Sequence, residues 1–276
     1  MPETLIPAGS TVGALQIRPQ LDALDNRILL SHALGLSRVG LITQSERVLT
    51  DEEVQRLSAL LERRLRGEPI AYIVGQREFF GLPFEVSEAV LIPRPDTELL
   101  VELALDRLPP QGRLLDMGTG SGAIAVALAH NRPDAVVTAL DVSSAALAVA
   151  RRNASANGVN ITFMASDWFE ALGTERYELI VSNPPYIASG DQHLAEGDLR
   201  FEPVGALTDH ADGLSALRTI VAGSSRHLTA GGWLLMEHGY DQAESVRQLL
   251  SDAGYAEAQS WCDLAGIERV SGARLG

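Results

Sequence analysis

The sequence predicts an α/β fold with a doubly wound sheet, preceded by a small helical domain. From residue 113 onward, short apolar runs alternate with helical patterns at the spacing typical of β-α-β units. Such alternation predicts a parallel sheet that is covered by helices on both faces. The first 70 residues show helical periodicity instead, which indicates a separate helical unit.

The predicted sheet is built from short apolar runs, most of them followed by a helix. Strands are expected at 113–117, 136–141, 161–165, 177–182, 232–237, 255–261 and 268–273. Helices are expected at 121–130, 143–157, 213–228 and 241–253. In open α/β sheets, ligands bind at the carboxyl ends of the strands, so the residues that follow the strands are the first candidates for a site.

The helical domain is predicted over residues 1–70. Apolar side chains on one face indicate a helix over 21–34. A second helix begins at Thr50, where Glu53 completes a capping box. Gly67 is expected to end this second helix.

A β-hairpin linker is predicted at 71–95, between the helical domain and a catalytic domain at 96–276. The strand-like segments near and within the linker are 70–74, 78–80 and 84–86. Asp96 or Thr97 is expected to cap the next helix, which runs through Arg107.

Composition limits the classes of function. The formal net charge of −14 counts against a duplex nucleic acid substrate, because phosphate contacts require a basic surface. The single cysteine, Cys262, allows no intrachain disulfide and no cysteine cluster, and no metal site is expected. The first residues lack the pattern of a signal peptide, and no apolar run is long enough to span a membrane. A cytoplasmic location is therefore expected; the sequence leaves the oligomeric state open, and a monomer is taken as the default.

Three glycines follow the first strand of the sheet and precede a helical pattern, at Gly118, Gly120 and Gly122. Glycine lets the backbone turn tightly and approach a ligand, and the start of a helix offers free N–H groups. Asp141 ends the next strand about 20 residues later, where a carboxylate accepts hydrogen bonds from ribose hydroxyls. The pattern predicts a nucleoside site, and it leaves a nicotinamide cofactor and other nucleosides open.

A stiff polar segment, Asn183-Pro184-Pro185-Tyr186, follows the strand at 177–182. Proline nitrogens carry no hydrogen, and a residue before proline is pushed toward extended backbone angles. The segment offers an amide oxygen, backbone carbonyls and a ring face, which suit a planar substrate that carries nitrogen. Trp168, after the third strand, is interpreted as a residue that packs against an adenine ring, with core packing as the alternative.

These motifs together resemble the class I methyltransferases that use S-adenosylmethionine. More closely, they resemble the protein-glutamine N5-methyltransferases that modify peptide chain release factors. The resemblance extends from about residue 22 to the C-terminus and includes Glu68–Gly75, Ile92–Glu98, Gly118–Gly122, Asn183–Tyr186, Phe201–Pro203 and Ala206–Leu207. Adenine-N6 DNA methyltransferases share the tetrapeptide Asn183–Tyr186. The segment Arg94–Glu98 favours the release-factor branch over paralogues that methylate a ribosomal protein.

The resemblance implies a seven-stranded class I methyltransferase sheet, S-adenosylmethionine as cofactor with S-adenosylhomocysteine as product, and no metal. It implies that the cofactor is bound by Gly118, Thr119, Gly120, Ser121, Gly122, Asp141, Trp168 and Asn183. It implies that the substrate is bound by Arg94, Asn183, Pro184, Pro185 and Tyr186, with Asn183, Pro184 and Tyr186 as catalytic residues. The implied partners are peptide chain release factors 1 and 2, modified at the glutamine of their Gly-Gly-Gln motif by the domain at 96–276 and recognised by the helical domain.

The chemistry of a carboxamide shapes the expected mechanism. An amide nitrogen is a poor nucleophile because its lone pair is delocalised into the carbonyl. We expect the side-chain oxygen of Asn183 and the carbonyl of Pro184 to accept the two N–H bonds of the glutamine. These bonds would aim its nitrogen at the methyl group and stabilise the positive charge that develops on it. Tyr186 is expected to stack on the carboxamide.

Other functions share parts of this pattern. A glutamine methyltransferase for a ribosomal protein would use the same motifs. A methyltransferase for N6 of adenine would use the same pocket on a flipped base, but the charge of −14 counts against it. The alternative of a nicotinamide-dependent oxidoreductase is supported by the glycine pattern only. A binding module without catalysis is the last alternative.

Overall fold

The computed structural model describes residues 5–7, 9–17 and 21–276. The predictions for the helical domain and for the signal peptide that fall on the remaining positions lie outside the described residues. The chain divides into two compact units, Met1–Gly75 and Gln76–Gly276. Among the described residues, no helix combines the length and the hydrophobicity that a membrane span requires.

The first unit is helical, as the sequence predicts. Its helices are α1 (Ala23–Leu34), α2 (Arg38–Thr43), α3 (Asp51–Leu65) and α4 (Ile70–Val74), with a 3-10 turn at Ala14–Gln16. The predicted capping box of α3 is confirmed, because the Thr50 hydroxyl accepts from the Glu53 N–H and the Glu53 carboxylate accepts from the Thr50 N–H. Leu29, Leu57 and Ile73 are buried in the core of this unit.

The strand predicted at 70–74 is wrong, because these residues form the short helix α4. Pro69 precedes the first turn, where its missing N–H is not needed. Gly75 ends the helix in the left-handed conformation with φ of 74°. A short apolar run has no periodicity that separates a buried helix from a buried strand, so the sequence pattern could not decide between them.

The second unit begins with the predicted hairpin. Both of its strands start two residues earlier in the chain than the sequence predicts. Its strands are β1 (Gln76–Phe79) and β2 (Leu82–Glu85). Phe79 pairs with Leu82, so Phe80 and Gly81 form a two-residue turn. Both turn residues have positive φ, at 51° and 75°, which matches the twist that tight hairpins require.

A seven-stranded sheet follows in the described residues. Its strands are β3 (Arg113–Met117), β4 (Val136–Asp141), β5 (Thr162–Ala165), β6 (Tyr177–Ser182), β7 (Leu228–Glu237), β8 (Ala256–Cys262) and β9 (Glu268–Arg274). The strand order is β5-β4-β3-β6-β7-β9-β8. The five strands from β5 to β7 in this order are parallel.

Helices cover both faces of the sheet, which confirms the doubly wound prediction. They are α5 (Glu98–Arg107), α6 (Ala123–Asn131), α7 (Ser144–Ala156), α8 (Val204–Leu207), α9 (Ser215–Ser224) and α10 (Ala243–Asp252), with 3-10 turns at Pro95–Thr97, Gln192–Ala195 and Leu199–Phe201. Side chains of β6 alternate between two cores. Leu179 and Val181 pack with α5 and α6, whereas Ile180 packs with α9 and α10.

One edge of the sheet departs from the parallel pairing that the alternation of strands and helices predicts. Strand β9 runs antiparallel to both β7 and β8. Only residues 263–267 separate β8 from β9, and a parallel pairing needs a crossover of a dozen residues or more. The short connection therefore forces an antiparallel pair.

Close packing at Gly272 provides a test of the sheet. A Cβ at this buried position of β9 would lie 2.5 Å from the carbonyl oxygen of Leu234 and 2.5 Å from the side chain of Leu235. We expect Gly272→Ala to lower the free energy of unfolding by about 1–3 kcal/mol, measured by urea denaturation, because the backbone of β7 cannot move aside. Gly173→Ala is the matched control, since the nearest atom there belongs to the flexible side chain of Glu175. Equal stability of the two variants would contradict the close packing.

Candidate active site

The register of three parallel strands brings the predicted motifs together. In the centre of the sheet, Met117 of β3 pairs with Leu140 of β4 and with Ser182 of β6. Parallel strands run in one direction, so the residues that come next leave the sheet side by side. These residues are Gly118, Asp141 and Asn183.

A pocket of about 300 Å³ opens at this edge of the sheet. Its wall contains most of the predicted site residues, namely Arg94, Gly118, Thr119, Gly120, Ser121, Asp141, Trp168, Asn183 and Pro185. Gly122, Pro184 and Tyr186 lie outside this wall. The pocket therefore unites the glycine loop with the start of the Asn-Pro-Pro-Tyr segment.

The glycine loop is held by a buried carboxylate that precedes it. Asp116 is fully buried, and its Oδ2 accepts a hydrogen bond of 2.6 Å from the Thr119 hydroxyl. Burial raises the pKa of Asp116 to about 7, although the bonds from Thr119 and from the Ala125 N–H oppose the shift. The loop then turns into α6 at Gly122, where φ is 83° and a Cβ would lie 3.1 Å from Ala150.

Asp141 is bound to the same loop. Its Oδ2 accepts from the Gly120 N–H at 2.8 Å, and its Oδ1 accepts from the Ser143 N–H at 2.8 Å. Burial raises the pKa of Asp141, against the lowering by these backbone bonds. A carboxylate oxygen accepts more than one hydrogen bond, so the side chain retains capacity toward the pocket that it lines.

Trp168 lies in the pocket wall in a strained conformation. Its φ is 45°, which is unusual for a bulky residue. The hydroxyl of Ser166 donates to the Trp168 carbonyl at 2.8 Å and thereby fixes the turn. The indole also packs against the core formed with α9 and α10. Trp168 therefore lies both in the pocket wall and against the core, and its packing against an adenine ring stays a prediction.

Asn183 is oriented by Thr97, which is buried. The Nδ2 of Asn183 donates to the Thr97 hydroxyl oxygen at 3.2 Å. Since an amide carries its nitrogen and its oxygen on opposite arms, this bond fixes the direction of Oδ1 as well. Thr97 occupies the predicted N-cap position of α5, but its side chain makes no capping hydrogen bond.

Tyr186 is anchored behind the pocket. Its phenol donates to Oε1 of Glu237 at 3.1 Å, and its carbonyl accepts from Nε2 of Gln242 at 3.0 Å. Burial, followed by the charge of Glu237, raises the pKa of Tyr186. Burial also raises the pKa of Glu237 to about 7, although hydrogen bonds from Thr97 and Tyr186 and the charge of Arg269 oppose this shift.

Arg94 is paired within the pocket wall. Its guanidinium contacts Oε1 of Glu202, whose side chain is buried. The Ile92 N–H donates to Oε2 of the same carboxylate at 3.0 Å. Burial raises the pKa of Glu202, and the charge of Arg94 opposes the shift. Arg94 therefore joins the segment at Ile92–Arg94 to Glu202. Its role in binding the substrate stays a prediction.

The sequence interpretation missed three residues of this network, Thr97, Asp116 and Glu237. A signal existed for two of them. Asp116 lies within the apolar run of β3, and Glu237 ends the apolar run of β7, at the edge where ligands bind. Thr97 gave no comparable signal, because its partner Asn183 is far away in sequence. In the part of the chain that the structure describes, no group of three or more His, Cys, Asp or Glu side chains is arranged for a metal ion.

The sheet and its pocket define a methyltransferase of class I fold. The family model "Methyltransferase small domain" matches residues 95–198, and the model "PrmC N-terminal domain" matches residues 16–75. A solved methyltransferase structure from Pyrococcus furiosus superposes with a TM-score of 0.56 at 19% identity, over 79% of this chain and 99% of that one. At this identity the likeness concerns the fold only.

Curated relatives narrow the class further. The chain is 56% identical to a release factor glutamine methyltransferase of Burkholderia pseudomallei (strain K96243), over 99% of each protein. It is 49% identical to that of Escherichia coli (strain K12), over 90% of each. The chain therefore belongs to the release factor glutamine methyltransferase family, which confirms the resemblance drawn from the motifs.

The buried carboxylate of Glu237 predicts a pH-dependent stability. Its pKa of about 7 in the folded protein exceeds the ordinary glutamate value of 4.5, so the folded state binds its proton more tightly than the unfolded state does. Stability therefore falls as pH rises between these values. Between pH 5.5 and 8, we expect the free energy of unfolding of the wild type to fall by about 2 kcal/mol more than that of Glu237→Gln.

Urea denaturation at the two pH values measures this difference. The exposed substitution Glu102→Gln is the control, and it should retain the pH dependence of the wild type. An identical pH dependence in Glu237→Gln and in the wild type would show that Glu237 does not titrate in this range.

Proposed function

We propose that this chain transfers the methyl group of S-adenosylmethionine to the side-chain nitrogen of the Gly-Gly-Gln glutamine in peptide chain release factors 1 and 2. The observation that carries the proposal is the direction of the Asn183 amide. Its nitrogen is bound to Thr97, so its oxygen is available to an N–H donor in a pocket shared with the glycine loop. Membership of the release factor glutamine methyltransferase family supports the same substrate.

The residues on one side of the pocket fit a nucleoside cofactor. The backbone of Gly118, Gly120 and Ser121 lines the pocket without bulky side chains, and Asp141 supplies acceptors suited to ribose hydroxyls. The indole of Trp168 adds an aromatic wall suited to adenine. We assign these residues to the cofactor, together with Thr119 in the wall and Gly122, which shapes the loop.

The residues on the other side are assigned to the glutamine. Oδ1 of Asn183, in the wall, and the carbonyl of Pro184, which follows it in the chain, accept the two N–H bonds of the carboxamide. Pro185 and Arg94 complete the wall on this side. The stacking role of Tyr186 is retained as a proposal, and its phenol is held by Glu237.

Catalysis then depends on position and charge. S-adenosylmethionine, when bound, supplies a methyl group activated by a positive sulfur. The two carbonyl oxygens, of Asn183 and Pro184, hold the glutamine nitrogen in line and stabilise the positive charge that it gains. No base has to remove a proton first, because the proton leaves after the nitrogen has become positively charged.

The expected cytoplasmic monomer and the recognition of release factors by residues 1–70 also remain proposals. Gel filtration of the protein with and without release factor would report the assembly state.

Mass spectrometry tests the reaction itself. Release factor, ribosomal protein, duplex DNA and RNA are incubated in parallel with the chain and labelled S-adenosylmethionine. We expect one methyl group on the glutamine of the release factor. Label on the ribosomal protein or on nucleic acid, with none on the release factor, would overturn the proposal in favour of the corresponding alternative.

Removal of the Asn183 amide should strongly impair transfer. We expect Asn183→Ala to lower kcat for release factor methylation by roughly 100-fold, the usual effect of losing one preorganised polar group at the reacting centre. Single-turnover assays with saturating cofactor measure this loss. Asn131→Ala, on α6 and outside the pocket wall, is the control and should retain transfer. A kcat for Asn183→Ala within a few-fold of the wild type would remove Asn183 from the mechanism.

Removal of the Asp141 carboxylate should weaken cofactor binding. We expect Asp141→Ala to raise the Kd for S-adenosylhomocysteine by about tenfold or more, because hydrogen bonds to a charged group are lost. Isothermal titration calorimetry measures the affinity. Asp252→Ala, at the end of α10 and outside the pocket wall, should bind like the wild type. An unchanged Kd in Asp141→Ala would contradict the ribose assignment.

A further inference from the structure

A buried amide joins the end of the hairpin to the glycine loop. Asn153 of α7 is 1% exposed, so its side chain has no access to bulk water. Its Oδ1 accepts from the Glu85 N–H at 2.7 Å. Its Nδ2 donates to the Glu85 carbonyl at 3.0 Å and to the Ser121 carbonyl at 2.8 Å. These three hydrogen bonds, which we call the Asn153 bridge, use the oxygen and both N–H bonds of the amide.

Only one orientation of this amide fits its surroundings. A rotation by half a turn would place the amide oxygen against two carbonyl oxygens and the NH₂ group against the Glu85 N–H. Glu85 is 68 positions from Asn153 in the sequence, and Ser121 is 32 positions away. A buried polar group is costly when it has no partner, so the Asn153 bridge specifies the spacing between the end of β2 and the loop.

The bridge reaches the loop at the point where α6 begins. A bond from the Val126 N–H to the Gly122 carbonyl opens the hydrogen-bond ladder of this helix, and the Ser121 carbonyl lies just before it. Asn153 supplies a donor to that carbonyl from the neighbouring helix α7. Gly122 also approaches α7, because a Cβ there would lie 3.1 Å from the Cβ of Ala150, one turn before Asn153. Helix α7 therefore contacts the loop at two successive turns.

Both segments that the bridge joins contribute to the pocket wall. Ser121 lines the pocket from the glycine loop, and Phe79 lines it from the hairpin that ends at Glu85. Val90, a few residues beyond the hairpin, lines it as well. Glu85 and Asn153 themselves lie outside this wall. An effect of Asn153 on a bound molecule therefore passes through the segments that it holds.

We propose that Asn153 is a positioning residue for the cofactor, whose amide fixes the hairpin and the glycine loop so that the pocket is formed before S-adenosylmethionine binds. This inference rests on the proposed function, because it assigns this pocket to S-adenosylmethionine. A pocket that is formed in only a fraction of the molecules binds with an affinity reduced by that fraction. Loss of the bridge therefore weakens cofactor binding and leaves transfer from the bound cofactor nearly unchanged.

Replacement of Asn153 by aspartate tests the proposal. Asn153→Asp keeps the shape of the side chain and an acceptor for the Glu85 N–H, but an oxygen replaces the donor that faces the two carbonyls. The Arg152–Glu85 ion pair and the bond from Nδ2 of Asn157 to the Pro83 carbonyl still hold the hairpin on α7. By calorimetry, we expect the Kd for S-adenosylhomocysteine to rise at least about tenfold. KM for S-adenosylmethionine should rise with it, while kcat at saturating cofactor stays within about threefold of the wild type.

Asn157→Asp is the matched control. It places the same negative charge at the same end of α7 and removes a donor to the hairpin, but the bonds of Asn157 go to the Pro83 and Asn153 carbonyls rather than to the loop. Its Kd for S-adenosylhomocysteine should stay within about threefold of the wild type. An equal rise in both variants would overturn the proposal, because the added charge would then explain it. Thermal unfolding establishes that each variant folds. A folded Asn153→Asp with the wild-type Kd, or with a lower kcat at unchanged Kd, would also overturn it.

Hydrogen exchange in the wild type covers the case in which Asn153→Asp fails to fold. The Glu85 N–H bonds to Asn153 and lies outside the pocket wall, so a bound molecule affects it through the bridge. We expect saturating S-adenosylhomocysteine to slow its exchange at least about threefold. The Gly158 N–H, which donates to the Ser155 carbonyl after α7, is the internal control and should exchange at an unchanged rate. Unchanged exchange at Glu85 would contradict the coupling.

Failure of the proposed function gives a different result. A wild type that binds no S-adenosylhomocysteine would refute the assignment of the pocket to this cofactor. A wild type that binds it and methylates release factor, together with an equally tight Asn153→Asp, would refute the positioning role only.

Discussion

The pairing of β3 with both of its parallel neighbours is the constraint on which the site depends. Because Met117 is level with Leu140 and with Ser182, the glycine loop, Asp141 and Asn183 begin at one height on one edge of the sheet. A shift of one residue in either pairing would turn these side chains to opposite faces. Strand β6 places apolar side chains in the cores on both faces of the sheet, so it is buried between them.

Carboxylates in and behind the pocket fix the orientation of the segments that meet at this edge of the sheet. Asp116 binds Thr119, Asp141 binds the Gly120 N–H, and Glu237 binds Tyr186. Burial opposes the charge of each carboxylate, which is why the pKa values are raised. The donors around each carboxylate offset part of this cost. The same bonds hold the loop and the Asn-Pro-Pro-Tyr segment in fixed positions, and catalysis by position requires such preorganisation.

The hairpin is tied to the site by the buried amide of Asn153. Asn153 of α7 accepts from the Glu85 N–H at 2.7 Å and donates to the Ser121 carbonyl at 2.8 Å. The end of β2 is thereby tied to the glycine loop, and Phe79 of β1 reaches the pocket wall. The ion pair between Arg94 and Glu202 similarly ties two further loops at the opposite side. The chain belongs to the release factor glutamine methyltransferase family, and the pocket of such an enzyme has to place two reactants side by side. These contacts hold the segments that surround the pocket.

The sequence by itself determined the order of elements, the doubly wound class and the motifs that end the strands. These features are local, since periodicity, glycines and prolines act over a few neighbouring residues. It did not determine the helix at Ile70–Val74 or the antiparallel strand at Glu268–Arg274, where burial and loop length decided. Nor did it reveal that Thr97 orients Asn183, or that Glu237 binds the phenol of Tyr186. The first pair is separated by 86 positions and the second by 51, and only the packing of the folded sheet brings their hydrogen-bonding groups within reach.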